Sequence, residues 1–209
     1  QTPCYTPFTR MAYTNGRNLL RNAMKLVNGR YEIDFPDLEE KLRQPRTRLL
    51  ILCNPQNPSG RVFTREELEQ IGQLCIRHQV YVISDEIHCD FVYHGHRHIP
   101  FASLSPELSQ RTITFINPSK TFNLAGLHTA AFFTENPTLQ SLVHETMVSQ
   151  KMVSENVFGT VAFCTAYEQC ASYADAIAAY LEQNIQLVRQ AVDPLPGIRF
   201  TPPEGTYLF

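Results

Sequence analysis

The chain has 209 residues, 43% of them hydrophobic, and a formal net charge of −2 at pH 7; this is enough apolar material for a large buried core and leaves no basic surplus for a polyanion partner. Its densest basic stretch is the scattered RQPRTR of residues 43–48, which excludes nucleic acid as a partner class. No apolar run reaches the roughly 18 residues that span a bilayer, and QTPCYTPFTR at the start has neither the basic opening nor the apolar block of a signal peptide, so the reading is a cytoplasmic protein without membrane contact.

A proline-rich entry gives way to RYEIDFPDLEEKL (30–42), which reads as a short strand followed by a helix, and RTRLLILC (46–53) is a buried strand. CNPQNPSG (53–60) stops that strand, because proline lacks a backbone donor and pushes Asn54 and Asn57 away from helical geometry. FTREELEQIGQLCIRHQ (63–79) predicts an amphipathic helix: Thr64 and Glu67 have capping-box spacing, and Leu68, Ile71, Leu74 and Cys75 fall on one face. VYVISDE (80–86), RTITFIN (111–117) and HTAAFFT (128–134) follow as strands. Asn136 and Pro137 then open a helical region as N-cap and N1, and Ile177, Leu181, Ile185, Val188 and Val192 mark a long amphipathic helix. PLPGIRF (194–200) breaks it, and TYLF (206–209) begins a new strand. The alternation of strand and helix predicts an α/β fold, a mostly parallel sheet flanked by helices. The stretch from 194 to 205, rich in proline and glycine, divides the chain into a large domain, residues 1–193, and the start of a smaller C-terminal one, residues 194–209.

In an open α/β sheet ligands gather beyond the carboxyl ends of the strands. The candidates are therefore Asn57, Asp85, and the pair Ser119 and Lys120 in INPSKTF, together with Tyr5 in TPCYTPF near the start. On residue type alone, an Asp, an Asn and a Lys at one edge form a structural salt-bridge network as readily as a ligand site. Glu86, beside Asp85 on the strand, would point the other way. The six cysteines lie far apart without a Cys-x-x-Cys and read as buried, reduced thiols. His94, His96 and His98 alternate along YHGHRHIP, but the glycine and proline there indicate a solvated loop rather than a metal site. No G-x-G-x-x-G follows a strand, which argues against a nicotinamide oxidoreductase.

Taken in this order, NPQNPSG, SDEIHCDF and PSKTFNLAGL resemble the pyridoxal-phosphate enzymes of the aminotransferase class I/II superfamily, fold type I, and within it the cystathionine β-lyase and C-S lyase branch, the MalY/PatB type. The resemblance runs from TPCY to GTYLF. It implies a fold type I large domain, pyridoxal 5′-phosphate as cofactor, a small amino-acid substrate, and a homodimer whose subunits share their sites. Lys120 would hold the cofactor as a Schiff base and remove the substrate's α-proton, a task suited to an amine in a water-poor site. Asp85 would keep the ring nitrogen protonated, as an electron sink requires, with Asp90 the alternative carboxylate. The Asn57 amide would meet the phenolic oxygen, Tyr5 would stack on the ring, and Ser119 would donate to the phosphate; an ordinary core tyrosine stays open for Tyr5.

Two departures from the common pattern favour the lyase branch. His88 stands where typical aminotransferases have a tyrosine that bonds the phenolic oxygen, and His128 where many have a phosphate-binding arginine. The implied reaction is β-elimination from a cysteine thioether such as cystathionine, giving a thiol, pyruvate and ammonia. An aminotransferase is the alternative, and a non-catalytic cofactor-binding regulatory module a distant third. MVSQKMVSENVFG (147–159) is either a contact region between subunits or an ordinary helix junction. The chain starts without methionine and stops inside an apolar run, so it reads as a piece that lacks the family's phosphate-binding turn and carboxylate-binding arginine. Weak cofactor binding by the 209 residues alone is the expectation.

Overall fold

A computed structural model describes residues 1–153 and 156–209; Ser154 and Glu155, within the candidate contact region, lie outside the described residues. The proline-rich entry contains helix α1 (Thr6–Thr14), which the sequence reading did not anticipate. Pro7 sits in its first turn, where no backbone donor is needed. A hairpin follows, β1 (Lys25–Val27) against β2 (Arg30–Glu32), turned by Asn28 and Gly29, both at positive φ. Asn-Gly suits this two-residue turn because both positions tolerate the left-handed region.

Helix α2 (Phe35–Leu42) starts at Asp34, whose side chain accepts the Asp37 N–H, and buries Leu38 and Leu42. Strand β3 (Leu49–Cys53) leads through the Asn-Pro turn to α3 (Arg65–Arg77). Both halves of the expected capping box form between Thr64 and Glu67, and Leu68, Ile71, Leu74 and Cys75 are buried as one face. Strands β4 (Tyr81–Asp85) and β5 (Thr112–Ile116) follow, the latter preceded by a short helix α4 (Pro106–Ser109), and β6 (Ala131–Phe133) completes the sheet. The order is β3-β4-β5-β6, parallel except for β6. This is the expected mostly parallel α/β sheet. One contiguous core joins α2, α3, β3 and β4, with Leu52, Phe63, Leu68, Ile71 and Val82 fully buried.

Asn136 caps α5 (Pro137–Ser149) by accepting from the N–H groups of Thr138 and Leu139. Helices α6 (Val157–Gln169) and α7 (Ala171–Val192) follow, and of the five apolar residues read as the α7 stripe only Ile185 is fully buried.

The last segment corrects an expectation. TYLF does not form a strand: pairing there is a single bridge between Gly205 and Val92, with the Thr206 N–H donating to Phe91 O at 2.9 Å. Apolar alternation proposes a strand, but a strand needs a neighbour, and this segment is held by other means. Glu204 is gripped by Arg61 Nε at 3.0 Å, Arg30 Nε at 2.6 Å and the Val62 N–H at 2.9 Å. Gly60, at φ +71, meets the same segment so closely that a Cβ there would lie 2.5 Å from Pro203 Cβ.

Candidate active site

Register explains why the candidates converge. Cys53 pairs with Asp85 and Asp85 with Phe115, so β3, β4 and β5 end level with one another. The turn after β3 is braced by the Gln56 N–H to Arg61 O at 2.7 Å and by the Phe63 N–H to Asn54 Oδ1 at 2.9 Å. Gln56 Nε2 also donates to Pro3 O at 2.6 Å, tying the turn to the start of the chain beside Tyr5. Tyr5, Asn57, Asp85, His88 and Lys120 line one cleft, joined by Cys53 and Ile87. Its empty space, open mouth included, is about 270 Å³.

Ser119 is not among the lining residues; its backbone N–H turns back to Asn117 Oδ1 at 3.2 Å. Cys53 and Ile87 were missed by sequence reasoning. Both follow from register, one as the partner of Asp85 across the sheet and the other two residues beyond it.

Asp85, the last residue of β4, and Glu86 just beyond it point apart, as expected. Asp85 faces the cleft, while Glu86 accepts from the Ser84 hydroxyl at 2.7 Å and the Phe101 N–H at 3.0 Å. His98 Nε2 lies 2.8 Å from Glu86 as well, and the His98 side chain is only 12% exposed. His94 and His96 do lie on an exposed loop, but His98 does not, because burial of Phe101 draws it inward.

Burial pushes the Asp85 carboxyl up to about 6, against the pull of the Ile87 N–H and the Lys120 ammonium. Burial likewise pushes His88 down to about 4, helped by the nearby Lys120 charge. The Cys53 thiol is driven upward by burial and by Asp85, so it stays protonated and inert as a nucleophile. Both ring nitrogens of His88 are buried without a hydrogen-bond partner among the described residues. Its ring stands edge-on to Tyr207 at 5.6 Å. Lys25 and Lys41 are engaged by Asp34 and Asp37, Lys151 lies outside the cleft, and Lys120 has no ion-pair partner among the described residues. An unpaired amine, a carboxyl with raised proton affinity and an unpartnered imidazole suit a ligand that brings its own polar atoms.

The profile of the family described as aminotransferase class I and II matches residues 1–209. Among curated proteins, cystathionine beta-lyase PatB of Bacillus subtilis is 40% identical over 100% of this chain and 54% of its own length. Protein MalY of Escherichia coli is 32% identical over 99% of this chain and 53% of its own. The chain thus spans about half the length of the curated relatives it matches. Cystalysin from Treponema denticola, a crystal structure containing pyridoxal 5′-phosphate, superposes with a TM-score of 0.92 at 30% identity, covering 99% of this chain and 52% of that one. A PLP-bound putative aminotransferase from Clostridium difficile 630 reaches 0.96 at 37% identity, over 99% and 54%. With the family profile matched end to end and the sheet superposed on these enzymes, the chain belongs to the aminotransferase class I and II family.

Proposed function

We propose that the protein is a pyridoxal-phosphate-dependent C-S β-lyase that converts a cysteine thioether and water to a thiol, pyruvate and ammonium. The observation that carries this reading is the convergence of Lys120, Asp85, Asn57 and His88 on one cleft at the strand ends. When bound, pyridoxal 5′-phosphate would supply the electron sink that lets the carbon beside an amine lose its proton. Lys120 would anchor the cofactor through its amine and then carry the α-proton on Nζ. Asp85 would pair with a protonated ring nitrogen, a positive partner that relieves the burial now raising its proton affinity. The Asn57 amide and an unpartnered His88 nitrogen would meet the phenolic oxygen, and Tyr5, 44% exposed, would cover the ring face. Ser119, set back from the lining, would reach only a phosphate at the cleft's rim.

The elimination reading is favoured by relatives named as cystathionine β-lyases, by the C-S lyase from Staphylococcus hominis, 36% identical with a TM-score of 0.91, and by His88 in place of tyrosine. The aminotransferase reading is supported by the aspartate aminotransferase of Geobacillus stearothermophilus, 28% identical over 88% of this chain. The two diverge after α-proton removal, where a lyase expels the thiolate. We further propose a cytoplasmic homodimer, with exposed Val157, Phe158 and Val161 of α6 supporting a contact near the 147–159 region, and residues 194–209 as the opening of a smaller domain.

The test is pyruvate release from cystathionine by the full-length protein without a keto-acid acceptor. Lys120→Ala is expected to abolish both the visible absorbance of bound cofactor and the release. Asp85→Asn should keep the cofactor and lower turnover by roughly a hundredfold or more. Turnover that requires a keto-acid acceptor would instead establish the aminotransferase.

A further inference from the structure

The loop that carries Lys120 is tied to the turn that carries His88, directly after Asp85 at the end of β4, through one carboxylate, Asp90. Thr121, 2% exposed and next to Lys120, donates its hydroxyl to Asp90 Oδ2 at 2.7 Å. The Tyr167 hydroxyl, from α6, donates to Asn117 O at 3.2 Å and stands 3.4 Å from the same Asp90 oxygen. Phe122 packs edge-on against the Tyr167 ring at 5.4 Å, which fixes that hydroxyl over the loop. The turn is itself rigid, with the Cys89 N–H donating to Glu86 O at 2.9 Å and the Phe91 N–H to His88 O at 3.0 Å. Asp90 does not line the cleft; its hydrogen bond to Thr121 joins it to the Lys120 loop.

We propose that Asp90 is a positioning residue for Lys120, with Thr121 as the link and Tyr167 as a brace, so that the reach of the lysine amine is set relative to Asp85. This rests on the reading of Lys120 as the cofactor-holding amine. A group that must meet a reacting atom gains rate from fixed placement, and a displacement of about 1 Å can cost up to about a hundredfold. Loss of the Asp90 acceptor releases the Thr121 side chain and so removes one tether from the residue next to Lys120.

The experiment adds pyridoxal 5′-phosphate to cofactor-free full-length protein and measures the rate at which borohydride traps the cofactor on Lys120, located by mass spectrometry. Asp90→Ala and Thr121→Val are each expected to slow capture about tenfold, the double variant no further, and Asp90→Asn, which keeps an acceptor oxygen, to restore most of the rate. A merely structural role would lower Tm but leave the capture rate of the folded fraction unchanged. Capture within twofold of the parent in Asp90→Ala, or additive losses in the double variant, would overturn the positioning role while leaving Lys120 as the holder. Failure of the parent protein to be trapped on Lys120 would overturn the functional reading, and this inference with it.

Discussion

Helices α3 and α6 are both 13 residues long, yet they relate to the rest of the molecule in opposite ways. The first has charged and apolar residues segregated to two faces and buries Leu68, Ile71, Leu74 and Cys75 against the sheet. The second is apolar all round and buries only Gly159 and Ala166, leaving Val157 72%, Phe158 79% and Val161 61% exposed. A helix without a polar face belongs in an interior. The core of the α/β half is therefore buried by its own residues, whereas much of the apolar surface of α6 is left exposed.

The contrast is sharpened most by Arg61, which is 2% exposed and serves α3 and the cleft turn together. It donates to both oxygens of Glu67, at 2.8 and 2.6 Å, to Glu204 and to Tyr31 O. Arg61→Ala leaves Glu67 without its cation and Glu204 with Arg30 alone, and should cost about 3–5 kcal/mol in chemical unfolding of the cofactor-free protein. Leu68→Ala, at a fully buried position, should cost about 3 kcal/mol in the same measurement.

The cleft answers to pH through two groups of opposite sign. Asp85, raised to about 6, contributes stability that is complete below its unfolded value of 3.8 and is lost as pH rises through 6. His88, lowered to about 4, contributes stability present above its unfolded value of 6.5 and lost as pH falls toward 4. Each amounts to roughly 3 kcal/mol, so they largely cancel between pH 4 and 6. Asp85→Asn should unmask the histidine, giving a Tm that falls as pH drops from 6.5, and His88→Gln should unmask the reverse slope. Flat profiles in both variants would show that neither group is desolvated.

The smallest effect is expected on the other side of the comparison. In a lone subunit, where Val161 is 61% exposed, Val161→Ala should change stability by less than about 0.5 kcal/mol. A loss of about 2 kcal/mol in the full-length protein would instead mark α6 as covered in the proposed homodimer.

What could be read in advance divides along the range of the interactions. The Thr64–Glu67 box and the Asn136 cap are local, since partners three residues apart meet in any first helical turn, and both were legible in the sequence. So were the strand ends, because an apolar run stopped by Pro, Asp-Glu or Pro-Ser marks its own limit. The Asn28-Gly29 hairpin carried a usable turn signal that its short, exposed strands obscured. The inward place of His98 depends on Glu86, twelve residues away, and on Phe101 filling the core. The docking of TYLF by Glu204 onto Arg30 and Arg61 spans most of the chain, beyond the reach of any local pattern.

That long span has a consequence in time. Arg61 and Glu204 are 143 positions apart, and Arg30 and Glu204 174. At a synthesis rate of about 5–20 residues per second, the turn bearing Asn57 leaves the ribosome on the order of ten seconds before the carboxylate that clamps it. Through that interval Arg61 has only Glu67, six residues along, to answer its charge. The nascent cleft is thus assembled in two acts, with the strands first and the bolt last.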